Sequence, residues 1–456
     1  MIRPIVAAAC LLGAAGLFSA TPYAAPMTLD EAVERALASD PRINERRHLV
    51  EAARTLVEEA LAHGDLSLDL NAFLGLAPEE QGGFFTNGSH SCTTLPCAVR
   101  RDDSLHGVSA WAGLEFKIIK PLYTFGKIEN YSEAARGQVT VKEGDVRIRR
   151  ADTRLEVTRA FNGYLAARDT RDLLEDVVNR AANAATLVEG WLEGGNGRAK
   201  QSDLFAVRTG KALLVKYLNQ ARAVEAIALD GLKLLTDTPL DQPLEVADRH
   251  IRPVEMPAED LATLQARALE MRPEMAQLEA GLRARRALTE ARKAEGMPNI
   301  YAGVVGSLSA TADRDGLDSP YIHDPFDHAG ATPVIGVNWR WEGGITSART
   351  ARARAELNAL VEKAAFARRG IPFEVAEQYH LAKNLDDSVK TLAAGSRSGR
   401  RWMVASYADF EAGLEEANKV ADAFQGYVLA HTDYLSTIND YNMAVARLIY
   451  ATGGYE

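Results

Sequence analysis

After residue 25 this chain has no apolar run approaching the roughly 18 residues of a membrane-crossing helix. It also lacks a sustained basic run. Lys and Arg number 52 against 62 Asp and Glu, a net charge of −10, which argues against nucleic acid as a partner because phosphate binding depends on clustered cations. The nine histidines show no His-Glu-x-x-His spacing or other paired-ligand pattern. No nucleophile stands beside an identifiable base. No cofactor, metal or catalytic residue is therefore expected, and an enzyme reading has little to rest on. Gly194-Gly195-Asn196-Gly197-Arg198 lacks the Gly-Lys-Ser/Thr and the preceding strand of a phosphate loop, so it reads as a turn between helices.

Cysteine is scarce as well, with three in 456 residues. Residues 1–25 have the form of a secretory signal: Arg3, an apolar run from Ile5 to Phe18, and small residues leading to a cleavage site near Ala24 or Ala25. Cys10 lies inside that segment, too early for a lipoprotein cleavage. Export to an oxidising compartment makes Cys92 and Cys97 an expected disulfide pinning a loop tip. Half of a zinc site is the competing reading, with His90 and His106 the only local candidates.

What the chain does have is itself, twice. ALASDPRI around Pro41 returns as ALEMRPEM around Pro273, 232 positions later, and Leu29/Leu261 and Gly64/Gly296 keep that offset. Later landmarks, Gly126/Gly344 and Glu193/Glu411, are 218 apart, so the first copy carries a longer loop between Gly64 and Gly126. A period this long implies a duplicated half-protein rather than a solenoid. The expected organisation is a first repeat at 26–236, with a helix, a β-hairpin at 66–119 and a coiled-coil hairpin at 127–236. A linker follows at 237–259. The second repeat fills 260–456, with a helix, a β-hairpin at 298–341 and a coiled-coil hairpin at 345–450.

Thr28 and Glu31 form a capping box that opens a helix expected to run from Leu29 to about Leu61, and the matching helix starts near Asp260. The period then changes to two. Leu66, Leu68, Leu70, Ala72 and Leu74 alternate with Ser67, Asp69, Asn71, Phe73 and Gly75, and Val108 to Ile118 alternates in the same way. Each segment has the 9 to 11 residues of a tilted membrane strand. The second copy places Ile300, Ala302, Val304 and Leu308 on one face, then Ile335, Val337, Trp339 and Trp341. One hairpin per half cannot close its edges within one chain, and four strands are too few for a barrel, so several chains are expected to contribute to one.

Residues 127–192 read as one long helical stretch, on the order of 100 Å at 1.5 Å per residue. The chain turns at Gly194-Gly195 and returns with Val207, Leu214, Ala221, Ala228 and Leu235 seven apart, an antiparallel coiled-coil hairpin. The second copy turns at Gly413-Leu414. The stretch 237–259 holds Pro239, Pro243, Pro253 and Pro257 and fits no helical period. Gly370 and Pro372 are expected to break or bend the second long helix. His431, between Tyr427 and Tyr434, reads as a packed or solvated residue, not a ligand.

In order and spacing, TLDEAVERALASDPRI (Thr28–Ile43), PLYTFGK (Pro121–Lys127), LEVTRAFNGYLAARD (Leu155–Asp169), FEAGL (Phe410–Leu414) and NDYNMAVARLIYATG (Asn439–Gly453) resemble the TolC-type outer-membrane efflux proteins. The resemblance covers nearly the whole chain beyond residue 25. It implies a mainly α protein with a membrane β-barrel: a homotrimer joining four strands per copy into twelve, with a helical barrel projecting into the periplasm and a belt made by the linker and chain ends. Pro372, the Cys92–Cys97 loop and the lack of a lipid-bearing cysteine depart from the pattern.

The function so implied is a passive exit duct in the outer-membrane lipid, of a tripartite efflux pump or type I secretion system, reached by an inner-membrane transporter through a periplasmic adaptor. Gly194, Gly195, Gly413 and Leu414 are the candidate adaptor-docking tips. Glu415, Glu416 and Asp422 are candidates for a periplasmic gate, where threefold symmetry would gather like charges; a solvated helix start is the plainer reading of the same cluster. Two rivals remain: an extended periplasmic coiled-coil scaffold without a pore, and an outer-membrane binding protein or enzyme, which would need a convergent polar site.

Overall fold

The computed structural model describes residues 26–79, 107–195, 199–312 and 323–455. Its elements run α1 (Leu29–Ser39), α2 (Pro41–Ala62), β1 (Ser67–Pro78), β2 (Val108–Tyr123), α3 (Lys127–Glu193), α4 (Gln201–Leu235), α5 (Leu261–Met271), α6 (Pro273–Ala294), β3 (Asn299–Thr311), β4 (His328–Asn338), α7 (Ile345–Glu411) and α8 (Ala417–Ala451). The first six elements and the last six follow one order. Paired helices match in length: α1 and α5 have 11 residues, α2 and α6 have 22, α3 and α7 have 67, and α4 and α8 have 35.

The single helix expected from Leu29 to Leu61 is two. A proline disfavours the α conformation at the residue before it, and Asp40 and Arg272 leave the helix with ψ of 112° and 130°. Both backbone N–H groups still close the preceding turn, Asp40 onto Ala36 and Arg272 onto Ala268. Their side chains are buried and differently satisfied. Asp40 accepts from Thr153 Oγ1 at 2.8 Å, whereas Arg272 bonds Glu274 and Glu374.

Pro372 does not break α7, which continues to Glu411. Ile371 and Val375, on either side of it, are buried against Leu264, Ala268, Leu448 and Ala451, so packing holds the helix where a backbone hydrogen bond is missing. The Pro372 carbonyl accepts from Gln265 Nε2 at 2.9 Å. Pro372→Ala restores the missing donor and removes the ring clash. It is expected to stabilise by about 1–3 kcal/mol and raise the unfolding temperature; an unchanged or lower midpoint would contradict this account of the helix.

The chain divides into two compact units. One holds residues up to Asp40, Thr153–Val254 and Asn384–Met443; the other holds Pro41–Asp152, Glu255–Lys383 and Ala444–Glu456. In the second unit the strands form one antiparallel sheet in the order β1-β2-β3-β4. Below it α2 meets α3 through Arg54 and Glu143, α3 meets α6 through Asp145 and Gln277, and α6 meets α7 through Arg285 and Glu356. The helices thus stand in the order of the strands they adjoin. Gly126 (φ 80°) and Gly344 (φ 87°) make the strand-to-helix turns, a left-handed conformation that side chains disfavour.

In the first unit, residues of the linker are fastened to the long helices. Asp169 accepts from the Ile251 N–H at 2.8 Å and contacts His250 Nδ1 at 2.9 Å. Asn442 accepts from the Val254 N–H and donates to the Arg252 carbonyl. Met27 pairs with the same segment through Glu245 and Ala247.

Candidate functional site: an apolar sheet face and two helical turns

Strand register decides what the sheet presents. Leu68 stands opposite Ile118, Leu70 opposite Phe116, Ala72 opposite Leu114 and Leu74 opposite Ala112. Ile118 then faces Val304 and Leu114 faces Leu308, while Ile300, Ala302 and Val304 face Val337, Ile335 and Pro333. From Leu68 to Leu76, Ala110 to Ile118, Ile300 to Ala310 and Ala329 to Val337 every side chain on this face is apolar; Lys120, opposite Ala302, is the exception at the helical end. In water such a face would be covered, yet Leu70 is 61% exposed, Leu74 88% and Ile335 80%. A contiguous apolar surface of this kind marks contact with lipid or protein.

The opposite face carries Asp69, Asn71, Glu115, Lys117, Ser307, Ser309 and His328. It also carries aromatics whose place the alternation alone does not explain. Phe73 lies over Gly113, where a Cβ would stand 2.1 Å from its ring, and Tyr301 covers Gly336 in the same way. Phe73 and Trp111 meet edge to face at 4.6 Å, and Trp111 donates to Ser309 Oγ. Trp339 and Trp341, expected near a strand end, follow the end of β4 and are exposed; Trp339 Nε1 donates to the Gly296 carbonyl.

The two helical turns lie together in the first unit. Trp191, three residues before Gly194, packs its ring edge-on against Phe410, three residues before Gly413, at 5.0 Å. That contact joins the ends of the two hairpins, and neither residue stands out in the sequence as its partner. Around it Val188, Leu204, Met403, Tyr407, Ala417, Val420 and Phe424 form a buried cluster. Gly194 N donates to the Gly190 carbonyl, and Gly195 has φ 61°. At the second turn Leu414 N donates to the Asp409 carbonyl and Gly413 N to that of Phe410, with Gly413 at φ 76°. This is a Schellman closure. Its usual apolar contact is absent, and Leu414 is left 81% exposed.

Glu415 is half-buried and Glu416 and Asp422 are exposed. Glu416 caps α8, its carbonyl accepting from Lys419 and Val420. Six residues separate it from Asp422, so the two side chains leave the helix on different sides. Cys92 and Cys97 lie outside the described residues. His431 is packed, donating to or accepting from Ser396 Oγ at 2.6 Å between the rings of Tyr427 and Tyr434, and desolvation holds its pKa below the usual histidine value. Among the described residues no group of three or more His, Cys, Asp or Glu side chains is arranged to hold a metal, and no helix is long and apolar enough to cross a membrane.

Residues 264–454 match the family model described as outer membrane efflux protein. That stretch is similar to the outer membrane efflux proteins. No curated protein matches the chain. Solved structures extend the likeness in fold beyond the family match. The outer-membrane channel OprN covers 93% of this chain, over 90% of its own, with a TM-score of 0.73 at 16% identity. The Campylobacter jejuni CmeC outer membrane channel covers 93% against 85% of its own, at 0.74 and 13%. The open state of the Neisseria gonorrhoeae MtrE outer membrane channel covers 93% against 88%, at 0.70 and 16%. The mostly helical chain with its small antiparallel sheet therefore has the fold of outer-membrane efflux channels.

Proposed function

We propose that this protein is the outer-membrane exit duct of a tripartite efflux or type I secretion assembly, passing cargo delivered by an inner-membrane transporter through a periplasmic adaptor. The observation that carries the reading is the exposed face, apolar but for Lys120 at its helical end, of a sheet whose edge strands, β1 and β4, pair with no other described strand. Three copies, each laying its β1 against the β4 of the next, would close a twelve-stranded barrel by a head-to-tail interface. Closure satisfies both backbone edges, places the apolar face in lipid and leaves the mixed face lining water.

The helical turns at Gly194-Gly195 and Gly413-Leu414 then serve as adaptor contacts, and Glu415, Glu416 and Asp422 as the acidic groups of a periplasmic gate. A duct of this kind needs no catalytic group, since the transporter supplies the energy. Membrane fractionation followed by electrophoresis without boiling tests the assignment. The expected result is a detergent-requiring trimer in the outer-membrane fraction, whereas a soluble periplasmic monomer would support the scaffold without a pore.

A further inference from the structure

Beneath β3 and β4, the end of α6 and the start of α7 enclose a pocket of about 290 Å³ lined by Arg285, Leu288, Arg292, Arg349, Arg352 and Glu356. Arg285 and Arg352 share one carboxylate, Glu356, at 2.6 and 3.0 Å. Arg292 bonds Glu295 at 2.6 Å, and Arg349 stands 3.8 Å from both Glu295 and Glu342. Four guanidiniums thus face three carboxylates, with N–H donors left over.

A chain of contacts links the pocket to the mixed face of the sheet. Lys127 Nζ donates to Asn299 Oδ1, and Asn299 shares its strand face with Tyr301, Val305 and Ser307. One turn on from Lys127, Tyr131 donates to Glu295, and the Arg292 guanidinium lies over the Tyr131 ring. At 100° per residue Arg292 falls within about 20° of Arg285, on the flank of α6 that meets α7. Arg283 falls on the opposite side and Arg286 and Lys293 about a quarter turn or more away, all three exposed.

The fold itself does not require these arginines. At the matching places of α2 and α3, offset by 232 and 218, the first half carries Ala53, Ala60, Tyr131 and Ala134. Equal helices are built there without them. Arg352 is also far from being a buried strut, with its side chain 82% exposed.

We propose that Arg285, Arg292, Arg349 and Arg352 form an anion-binding pocket on the water-lined wall just below the barrel, taking a compact phosphate or carboxylate group of a soluble anion. Paired guanidiniums match the two-oxygen geometry of such groups. The location on the inner wall rests on the duct reading; the binding itself does not. In the threefold assembly three such pockets would favour anionic cargo as it enters the barrel.

The test is calorimetric titration of inorganic pyrophosphate into the full-length protein in neutral detergent, with reversal potentials in planar bilayers as a separate arm. Arg349→Gln and Arg352→Gln are each expected to weaken pyrophosphate binding at least about tenfold, from the strength of charge-assisted hydrogen bonds. Arg352→Lys should recover only part of that loss, and Arg283→Gln none of it should show. In the bilayer the double variant Arg349→Gln with Arg352→Gln should shift selectivity toward cations. Absence of pyrophosphate binding to a protein that conducts normally would overturn the pocket, as would equal weakening by Arg283→Gln. Binding by a protein that never conducts would keep the pocket and remove the duct. Dihexanoylphosphatidylglycerol is expected to compete no better than glycerol phosphate; a tenfold tighter lipid would overturn the soluble-anion assignment.

Discussion

Leu114→Arg is expected to abolish assembly into the outer membrane, while its neighbour Glu115→Arg assembles at near wild-type levels. Leu114 stands in the middle of the sheet, between Ala72 and Leu308 on the apolar face. A cation facing lipid there costs roughly 2–4 kcal/mol at the midplane, in each of three copies. Glu115 points the other way, among Asn71 and Ser307, where a charge remains hydrated. Heat-modifiable trimer in outer-membrane fractions is the readout. Equal assembly of both variants would mean that the apolar face does not meet lipid.

The second large effect belongs to Leu414. Its exposed side chain at the second turn offers an adaptor an apolar anchor, and such anchors carry about 2 kcal/mol or more of an interface, which is about thirtyfold in affinity. Leu414→Asp is expected to abolish export in a complemented deletion strain while leaving trimer yield unchanged. Gly413→Trp should also abolish export, but less cleanly. Gly413 has φ 76°, so any side chain there strains the turn by about 1–2 kcal/mol besides obstructing a partner. Normal export by Leu414→Asp would contradict the docking role of this turn.

Much of this architecture is legible in the sequence because its periods are uninterrupted. The alternation from Leu68 to Leu74 survives as one face of β1, with Leu66 just before the strand, and the offsets of 232 and 218 recur as helices of equal length. Local rules misled in two places. Pro41 and Pro273 end a turn that amphipathic spacing carries straight through, because the steric restriction falls on the residue before each proline. Pro372 does not break its helix, since the tertiary packing of Ile371 and Val375 outweighs a lost hydrogen bond.

The site was less legible. Glu415 and Glu416 sit beside the second turn as their positions imply, but helix geometry turns Asp422 elsewhere, and spacing of six was the available signal. The contact of Trp191 with Phe410, like that of Phe73 over Gly113, joins residues remote in sequence or on separate strands. Only register and packing reveal them. The arginines of α6 and α7 carry a signal that a comparison of the two halves could have found: alanines or a tyrosine stand in their places in the first.

The most direct measurement is single-channel recording of the purified trimer in planar lipid bilayers, with Glu415→Ala, Glu416→Ala and Asp422→Ala alongside the wild type. A duct predicts discrete, long-lived conductance steps of uniform size. A gate built from the acidic groups predicts that at least one substitution changes the conductance, the cation selectivity or the block by divalent cations. Unaltered recordings in all three variants would remove those residues from the gate, and a well-folded trimer that inserts yet never conducts would contradict the duct itself.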